Sequence, residues 1–234
     1  MNTVLCILTL NEFESLQITL PQVIHVNEQM QCSRICAIDG GSTDGTVEFF
    51  QKNDIEVLIQ NKKGRGEAFK LALNSIEADG FIFFSPDGNE NYNDIPILAK
   101  HLDEGADLVI ASRMMKGAAN EEDDQIWRPR KYANLILNFM ANLFFNRSGR
   151  YITDSINGFR AITRKAGQLL DLSASDYTIE YQMSIRAMKA RLNIVEFPTI
   201  EGQRVAGESG IASFPAGLRF MRRLFLEIKN FRRI

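Results

Sequence analysis

The chain has 234 residues, 45% of them hydrophobic and 24% charged, with a formal net charge of −2. This composition is typical of a globular protein, and the near-neutral charge argues against nucleic acid as a partner. No run reaches the ~18 apolar residues that a membrane-spanning helix needs. The N-terminus lacks the cationic segment and cleavage site of a signal peptide. We therefore expect a cytoplasmic protein, soluble or peripheral on the cytoplasmic membrane face.

The first half of the sequence alternates short apolar runs with segments of helical periodicity. Strands are predicted at 3–10, 33–39, 55–61, 80–87 and 107–113, and helices at 13–25, 45–53, 66–78 and 93–104. Runs that are apolar throughout and separated by helices indicate a parallel sheet that is covered on both faces. The sequence therefore predicts an α/β fold with a doubly wound, mostly parallel sheet of Rossmann-like type.

The second half breaks this rhythm. It contains a polar loop at 114–125, a helix at 128–146, a helix near 178–191, a strand at 192–198 and a final helix from about 214. The apolar spacing of the helix at 128–146 predicts an inner stripe of Ile136, Phe139, Met140 and Leu143. We interpret the chain as one domain with three parts: a nucleotide-binding half (1–113), a site-completing part (114–210) and a C-terminal amphipathic helix (211–234).

The C-terminal helix combines an apolar stripe with many cations. Its apolar residues are Phe214, Leu218, Met221, Phe225 and Ile228, and its basic residues are Arg219, Arg222, Arg223, Lys229, Arg232 and Arg233. A basic amphipathic helix can lie on an anionic membrane surface. Packing on its own domain or on a second copy of the chain is the alternative, so contact with a membrane surface, a membrane partner subunit or a homo-oligomer all remain open.

The chain contains an odd number of cysteines, Cys6, Cys32 and Cys36. Cys6 and Cys36 lie in apolar runs, which favours buried free thiols in a reducing compartment. No second cysteine pair or neighbouring histidine completes a zinc-binding set.

Polar residues follow each of the five predicted strands of the first half. In chain order they are Asn11 and Glu12; Asp39, Gly40 and Gly41; Lys62, Gly64 and Arg65; Ser85, Asp87 and Asn89; and Ser112 and Arg113. The carboxyl ends of parallel strands meet at one edge of a sheet, and ligands bind there. No glycine-rich dinucleotide fingerprint follows the first strand and no P-loop occurs, which argues against a nicotinamide, flavin or P-loop enzyme.

Eight segments in order resemble glycosyltransferase family 2, and within it the polyprenyl- and dolichyl-phosphate sugar synthases such as dolichyl-phosphate mannose synthase. The segments are TLNE (9–12), IDGGSTDGT (38–46), NKKGRGEAFKLAL (61–73), SPDGNEN (85–91), ASR (111–113), WRPRKYANLILNFMANLFF (127–145), DSINGFRAI (154–162) and QRVAGESG (203–210). The resemblance implies a GT-A fold and an inverting enzyme. Such an enzyme moves a sugar from GDP-mannose or a UDP-hexose to a polyprenyl or dolichyl phosphate.

The resemblance also implies roles for individual residues. The donor site it implies consists of Asn11, Glu12, Asp39, Gly41, Lys62, Gly64, Arg65 and Asp87, with Glu12 and Asp39 at the base and ribose. Asp87 and Asn89 would hold Mg²⁺ or Mn²⁺, assisted by the donor phosphates. Arg113, Arg128 and Arg204 are the catalytic candidates that would stabilise the leaving diphosphate, with Arg130 nearby, because the planar guanidinium suits phosphate.

Three positions depart from the family pattern. Gly40 stands for the second Asp of its D-D pair, Ser85 for the first Asp of its D-x-D motif, and Gly210 for a Lys. The serine leaves one carboxylate and one amide at the expected metal site, which makes metal dependence an open point.

Two alternatives stay open from the residues. A glycan hydroxyl could be the acceptor, in which case Glu180 is the candidate base. The departures at Gly40 and Ser85 also fit a protein that binds a nucleotide-sugar without catalysis.

Overall fold

The computed structural model describes residues 1–29, 34–123, 128–147, 149–205 and 213–230. The strands are β1 (Thr3–Thr9), β2 (Arg34–Asp39), β3 (Glu56–Ile59), β4 (Gly80–Phe84), β5 (Leu108–Ser112), β6 (Arg160–Thr163) and β7 (Ile194–Pro198). The helices are α1 (Phe13–Gln29), α2 (Thr46–Lys52), α3 (Arg65–Ser75), α4 (Ile95–Asp103), α5 (Pro129–Phe145), α6 (Arg164–Leu169), α7 (Ile179–Lys189) and α8 (Ser213–Lys229). The elements predicted for the first half are all present.

The seven strands form one sheet in the order β3-β2-β1-β4-β6-β5-β7. All neighbouring pairs are parallel except those of β6, which runs antiparallel to both β4 and β5. The predicted mostly parallel α/β sheet is therefore confirmed. Because β1, β2, β4 and β5 point the same way, the polar residues that follow them lie at one edge.

A hydrophobic core lies on each face of the sheet, since alternate residues of every buried strand point to opposite sides. Leu5 and Ile7 of β1 join the core under α1 and α4, whereas Cys6 joins the core under α3, α5 and α7. Cys6 and Cys36 are buried free thiols, as predicted; Cys32 lies outside the described residues.

Strand β6 was missed by the sequence analysis because its first residue is charged. Arg160 is fully buried, and its guanidinium donates to the backbone oxygens of Ser155, Asn157 and Glu180. Burial lowers the pKa of Arg160 to about 10. A buried arginine is tolerated here because these carbonyls satisfy its donors.

The predicted inner stripe of α5 is wrong in its phase. Ile136, Phe139 and Leu143 are 59%, 57% and 65% exposed, and Met140 is partly buried against the core. The buried face instead carries Leu137, Asn138, Ala141, Asn142 and Phe145. Its two asparagines are satisfied by the backbone of residues 150–155, which lies along the helix. An apolar face of α5 is therefore turned to solvent.

Helix α8 packs on α5 and α7, and a buried acid of α8 joins it to α7. Glu227 is 1% exposed and forms ion pairs with Arg186 (3.0 Å) and Lys189 (3.4 Å) of α7. The predicted apolar stripe is divided, because Leu218 and Phe225 are 60% and 62% exposed while Met221 and Ile228 pack against the core. Arg232 and Arg233 lie outside the described residues. Among the residues described, no helix is long and apolar enough to cross a bilayer.

Candidate active site

The loop after β2 is ordered by the carboxylate of Asp39. One oxygen accepts the backbone N–H groups of Gly41 and Ser42, both at 2.8 Å, and the other accepts the hydroxyls of Ser42 (2.5 Å) and Thr9 (3.1 Å). Gly41 has φ 88°, a left-handed conformation that glycine adopts without steric cost. Asp39 is fully buried, so its first effect is to fix the loop at the strand end; its predicted contact with the nucleoside stays a prediction.

The loop after β1 is tied to the loop after β2 by reciprocal hydrogen bonds. The Asn11 amide oxygen accepts the backbone N–H of Thr43 at 2.9 Å, and the Ser42 hydroxyl accepts the backbone N–H of Asn11 at 2.8 Å. Asn11 has φ 57°, which asparagine tolerates better than most residues. The Glu12 backbone N–H donates to the Thr46 hydroxyl at 3.0 Å. These bonds hold both predicted donor loops in one rigid unit.

The turn after β4 (residues 85–89, the metal turn) carries the predicted metal ligands. Asp87 is 6% exposed and forms an ion pair with Arg204 at 3.0 Å. The backbone N–H of Val205 donates to the Asp87 carbonyl at 2.9 Å, and the backbone N–H of Gly202 donates to the Asn89 carbonyl at 2.8 Å. The segment 202–205 therefore lies across this turn and brings Arg204 to the carboxylate.

Glu12, Asp87 and Arg204 form one electrostatic group. Burial raises the pKa of Asp87, and the Arg204 guanidinium opposes that rise. Burial also raises the pKa of Glu12, which the charge of Asp87 raises further and a 2.8 Å hydrogen bond from Ser15 lowers. Three of the predicted site residues from three separate parts of the chain are thus brought together.

Arg65 and Glu180 form a buried ion pair behind the metal turn. The Arg65 Nε donates to a Glu180 carboxylate oxygen, and its Nη1 donates to the Ser85 hydroxyl at 3.0 Å. Glu180 is 2% exposed, and its other oxygen has no hydrogen-bond partner among the described residues. Arg65 passes so close to Gly158 that a Cβ there would collide with its guanidinium. A larger residue at that position would therefore displace the Arg65 guanidinium from its present place.

The two glycines on either side of Arg65 allow close packing against a neighbouring backbone segment. Gly64 and Gly66 lie against the backbone oxygens of Ser175 and Ala174, and a Cβ on either glycine would collide with those atoms. Gly64 also has φ 141°, a conformation open to glycine. Lys62 lines a groove beside α3 together with Lys70. Neither Lys62 nor Gly64 makes a described contact with Asp87.

Arg113 is held by two buried carboxylates. Its Nε and Nη2 donate to the two oxygens of Asp154 at 2.8 and 3.1 Å, and its Nη1 donates to Glu201 at 3.3 Å. Burial opposes the charge, but Asp154 and Glu201 together raise the pKa of Arg113 well above its ordinary value. Arg113 also lines a small cavity with Asn89 and so lies beside the metal turn. Each of its three nitrogens is therefore already bonded to a carboxylate of the protein.

The arginines that begin α5 pair with the acidic loop before them. Arg128 forms an ion pair with Asp123 at 3.2 Å, and Arg130 forms one with Glu121 at 3.0 Å. Glu121 acts electrostatically on Asp87. The start of α5 is therefore a neighbour of the metal turn, although Arg128 itself is engaged with the loop.

Three carboxylates of this edge were missed by the sequence analysis: Glu90, Asp154 and Glu201. Burial raises the pKa of Glu90 to about 8, and burial raises that of Glu201 while Arg113 opposes the rise. Glu90 follows Asp87 by three residues in SPDGNEN, which was the available signal. Asp154 begins the family-like segment DSINGFRAI, which was its signal, whereas Glu201 lies outside the eight segments.

Comparisons with known proteins identify the family of the chain. The family model described as glycosyl transferase family 2 matches residues 4–166. Glycosyltransferase AglJ of Haloferax volcanii is 29% identical over 83% of this chain and 61% of its own length. Polyprenol monophosphomannose synthase of Mycolicibacterium smegmatis is 28% identical over 88% of this chain and 80% of its own length. The chain thus spans less than two thirds of the Haloferax relative.

The fold also matches a solved enzyme structure. Glucosyl-3-phosphoglycerate synthase from Mycobacterium tuberculosis, in complex with Mn²⁺, UDP and glucosyl-3-phosphoglycerate, superposes with a TM-score of 0.71 at 19% identity, covering 97% of this chain and 80% of that one. This similarity supports the GT-A type of fold. The sequence-derived family assignment is confirmed by the family model, and the chain belongs to glycosyltransferase family 2.

Proposed function

We propose that the chain transfers a sugar from a nucleoside-diphosphate sugar to a polyprenyl-type lipid phosphate. The donor occupies the carboxyl edge of the sheet, over the ordered loops of Asn11 and Asp39. The group of Glu12, Asp87 and Arg204 supports this placement, because it combines a metal-binding carboxylate with a cation for phosphate.

The turn at Asp87 fits a divalent metal. The side-chain oxygen of Asn89 is buried without a hydrogen-bond partner among the described residues, and such an acceptor is suited to a cation. No group of three His, Cys, Asp or Glu side chains within the described ranges could hold a metal by itself. Asp87 and Asn89 would therefore share Mg²⁺ or Mn²⁺ with the donor's phosphate oxygens.

When bound, the metal would screen the diphosphate charge that grows as the sugar leaves. The chain's own contribution is Arg204, which keeps 32% of its side chain exposed at the same place. Its guanidinium can donate two hydrogen bonds to phosphate oxygens. A cation held beside the leaving group stabilises the transition state more than the ground state.

The observation that carries the lipid acceptor is the exposed apolar face of α5. Its members are Tyr132, Leu135, Ile136, Phe139, Leu143 and Phe144, which are between 43% and 65% exposed. This face starts close to the donor site. Arg204 pairs with Asp87, Gln203 donates to the Glu121 carbonyl at 3.4 Å, and Glu121 pairs with Arg130 of α5.

A bilayer is the occupant that this face fits best. Leu218 and Phe225 of α8 are also exposed, and α8 packs beside α5. The cations Arg222 and Lys229 flank them on exposed positions of α8. Apolar side chains with adjacent cations are typical of helices that lie in an anionic membrane interface. A peripheral position on a membrane would present a lipid phosphate to the donor site.

A phosphate acceptor also agrees with the position of Glu180. Glu180 is the one candidate base that the sequence offers, and its carboxylate is buried in the ion pair with Arg65. A lipid phosphate needs no base, because its second pKa is near ~6 and much of it is dianionic at neutral pH. A phosphate oxygen forms the new bond to the anomeric carbon, the bond from that carbon to the diphosphate breaks, and its electron pair leaves with the nucleoside diphosphate.

Transfer to lipid tests the proposal. The purified chain is incubated with labelled UDP-glucose or GDP-mannose, Mg²⁺ or Mn²⁺, and either anionic vesicles with and without a polyprenyl phosphate or soluble glycans. Calorimetry measures donor binding in parallel. We expect label in the lipid only when the polyprenyl phosphate is present. Donor binding without transfer to any acceptor would establish a non-catalytic binder instead, and transfer to a glycan hydroxyl would establish the alternative acceptor. Replacing Glu180 cannot separate the acceptors, since it also releases Arg65.

A further inference from the structure

Gln182 of α7 is a fully buried amide that joins two other parts of the chain. Its oxygen accepts the backbone N–H groups of Ser173 and Ala174 at 2.9 and 2.8 Å. Its nitrogen donates to the Ser173 hydroxyl at 3.0 Å and to the carboxylate of Glu227 in α8 at 2.8 Å. An amide has two N–H donors and an oxygen with two lone pairs, so its whole hydrogen-bonding capacity is used.

The loop at 173–175 is the backbone support of Arg65. The Ser175 carbonyl accepts the N–H of Gly66 at 3.1 Å. Backbone oxygens of this loop also leave no room for a Cβ on either glycine that flanks Arg65. The Arg65 side chain then reaches the Ser85 hydroxyl of the metal turn at 3.0 Å. A shift of the loop would therefore move Arg65 at the point where its side chain begins.

The acid on the other side of Gln182 binds α8 firmly to α7. Glu227 also forms ion pairs with Arg186 and Lys189. Burial opposes its charge, but hydrogen bonds from Arg186 and Gln182 hold the pKa of Glu227 below its ordinary value. Gln182 thus connects a charged, buried anchor of α8 to the loop at 173–175.

We propose that Gln182 is a positioning residue that fixes the backbone support of Arg65 and ties this support to helix α8. Gln182 acts on Arg65 through the loop at 173–175, and this part of the inference stands on the ligand-free geometry. Its consequence is that the docking of α8 on α7 contributes to the affinity for a nucleoside diphosphate. That consequence rests on the proposed function, which places Arg65 at the donor site.

Hydrogen exchange tests the positioning without any ligand. Q182M keeps the length of the side chain but leaves two buried N–H groups without their acceptor, so backbone amides of segment 61–70 should exchange at least about tenfold faster. The matched control is R164M, because Arg164 donates to the carbonyls of Ile76 and Ala78 beyond the other end of α3. At a temperature where both variants are folded, R164M should leave segment 61–70 within about twofold of the parent.

A milder variant covers the case in which Q182M does not fold. S173A removes only the hydroxyl that accepts from Gln182, so the exchange of segment 61–70 should rise about threefold. Parent-like exchange of this segment in Q182M, or in S173A where Q182M does not fold, would overturn the inference. Equal acceleration in R164M would overturn it as well, because the effect would then be a general loss of stability.

The tie to α8 is tested by combining variants. E227Q removes the charge that Arg186 and Lys189 hold, which weakens the docking of α8. Exchange of segment 61–70 should rise about threefold in E227Q, but less than about 1.5-fold when E227Q is added to Q182M, because the connection is already broken. Equal factors in the two backgrounds, or no change in E227Q alone, would overturn the tie. E227D takes its place if E227Q does not fold.

Calorimetry with Mn²⁺ and UDP, or Mn²⁺ and GDP, tests the consequence for the donor site. Q182M should bind about tenfold more weakly, since a misplaced binding group loses much of its contribution, whereas R164M should bind within about twofold of the parent. Failure of the parent chain to bind any nucleoside diphosphate would reject the proposed function, while the exchange experiment would still decide the role of Gln182. Parent-like binding in a folded Q182M would overturn the contribution of Gln182 to donor affinity.

Discussion

Arg204 and Arg113 were both assigned to the donor diphosphate from the sequence, but the structure surrounds them differently. Arg204 keeps 32% of its side chain exposed and pairs with Asp87, whereas Arg113 is 15% exposed and is held by Asp154 and Glu201. A ligand can recruit the first arginine by exchanging one partner. Recruiting the second would leave two buried carboxylates unpaired, which is costly.

The difference indicates that the residues at this edge of the sheet have two separate roles, ligand binding and structural support. In the proposed function, the first-half loops and Arg204 would present groups to the ligand, while Arg113 joins the segments of Asp154 and Glu201 through its ion pairs. Glu201 links the two parts, because it accepts from Arg113 and also from the backbone N–H of Glu121. We expect substitutions on the two sides to separate ligand binding from stability.

The largest effect is expected at Asp87. D87N keeps the shape of the side chain but removes the charge that would hold the metal, so transfer should fall about 10³-fold and Mn²⁺-dependent nucleotide binding should be lost. Transfer assays and calorimetry measure both. D107N serves as a control, because Asp107 precedes β5 and accepts the Asn193 backbone N–H at the opposite edge of the sheet. Parent-like metal binding in D87N would place the metal elsewhere.

A large loss of stability is expected on the other side, at Arg113. R113M leaves Asp154 and Glu201 buried without their cation, which should cost about 3–5 kcal/mol of unfolding free energy. Denaturant unfolding measures it. R34M is the matched control, since the pair of Arg34 with Glu56 is exposed on both sides and should contribute less than about 1 kcal/mol. Equal losses of unfolding free energy in R113M and R34M would contradict the structural role of Arg113.

Polar substitutions on the apolar face of α5 should weaken membrane binding and leave the affinity for the donor nucleotide unchanged. The variant I136S/F139S/L143S removes three side chains that would enter the bilayer, so binding to anionic vesicles should weaken at least about tenfold. Sedimentation with vesicles measures it, while calorimetry with UDP checks the donor site. The control I18S/I59S removes side chains that are 56% and 54% exposed elsewhere. A similar loss of vesicle binding in both variants would show that the chain adsorbs to vesicles nonspecifically.

The smallest effect concerns the loop that Asp39 orders. S42A removes a hydroxyl that donates to Asp39 and accepts from the Asn11 backbone. The loss should cost about 1 kcal/mol, or about 2–4 °C in unfolding temperature. T43A alters the neighbouring exposed side chain and is the control. An unchanged unfolding temperature in S42A would mean that the loop is held without this hydroxyl.

The first half of the fold could be predicted because buried parallel strands have a simple pattern. Strand β6 could not, since its first residue is Arg160, and a buried arginine looks like a surface residue until its carbonyl partners are known. The phase of α5 failed for another reason. Its buried face includes Asn138 and Asn142, so apolar spacing favours the face of Ile136 and Phe139, which the structure leaves exposed.

The candidate site shows the same limit. Asp39 and Asp87 could be placed at one edge from the sequence, because Asp39 ends β2 and Asp87 follows the end of β4. The partners of the arginines could not be found this way. Asp154 and Glu201 reach Arg113 from segments 41 and 88 residues away, and only the folded chain shows that its nitrogens are already bonded to carboxylates.

Calorimetry of Mn²⁺ with UDP or GDP on R204M and R113K tests the central claim most directly. The account predicts that R204M binds the nucleoside diphosphate about tenfold more weakly, since a charged hydrogen bond to phosphate is lost. R113K, measured at a temperature where it is folded, should bind within about twofold of the parent. The reverse result, with weak binding in R113K and parent-like binding in R204M, would contradict the account.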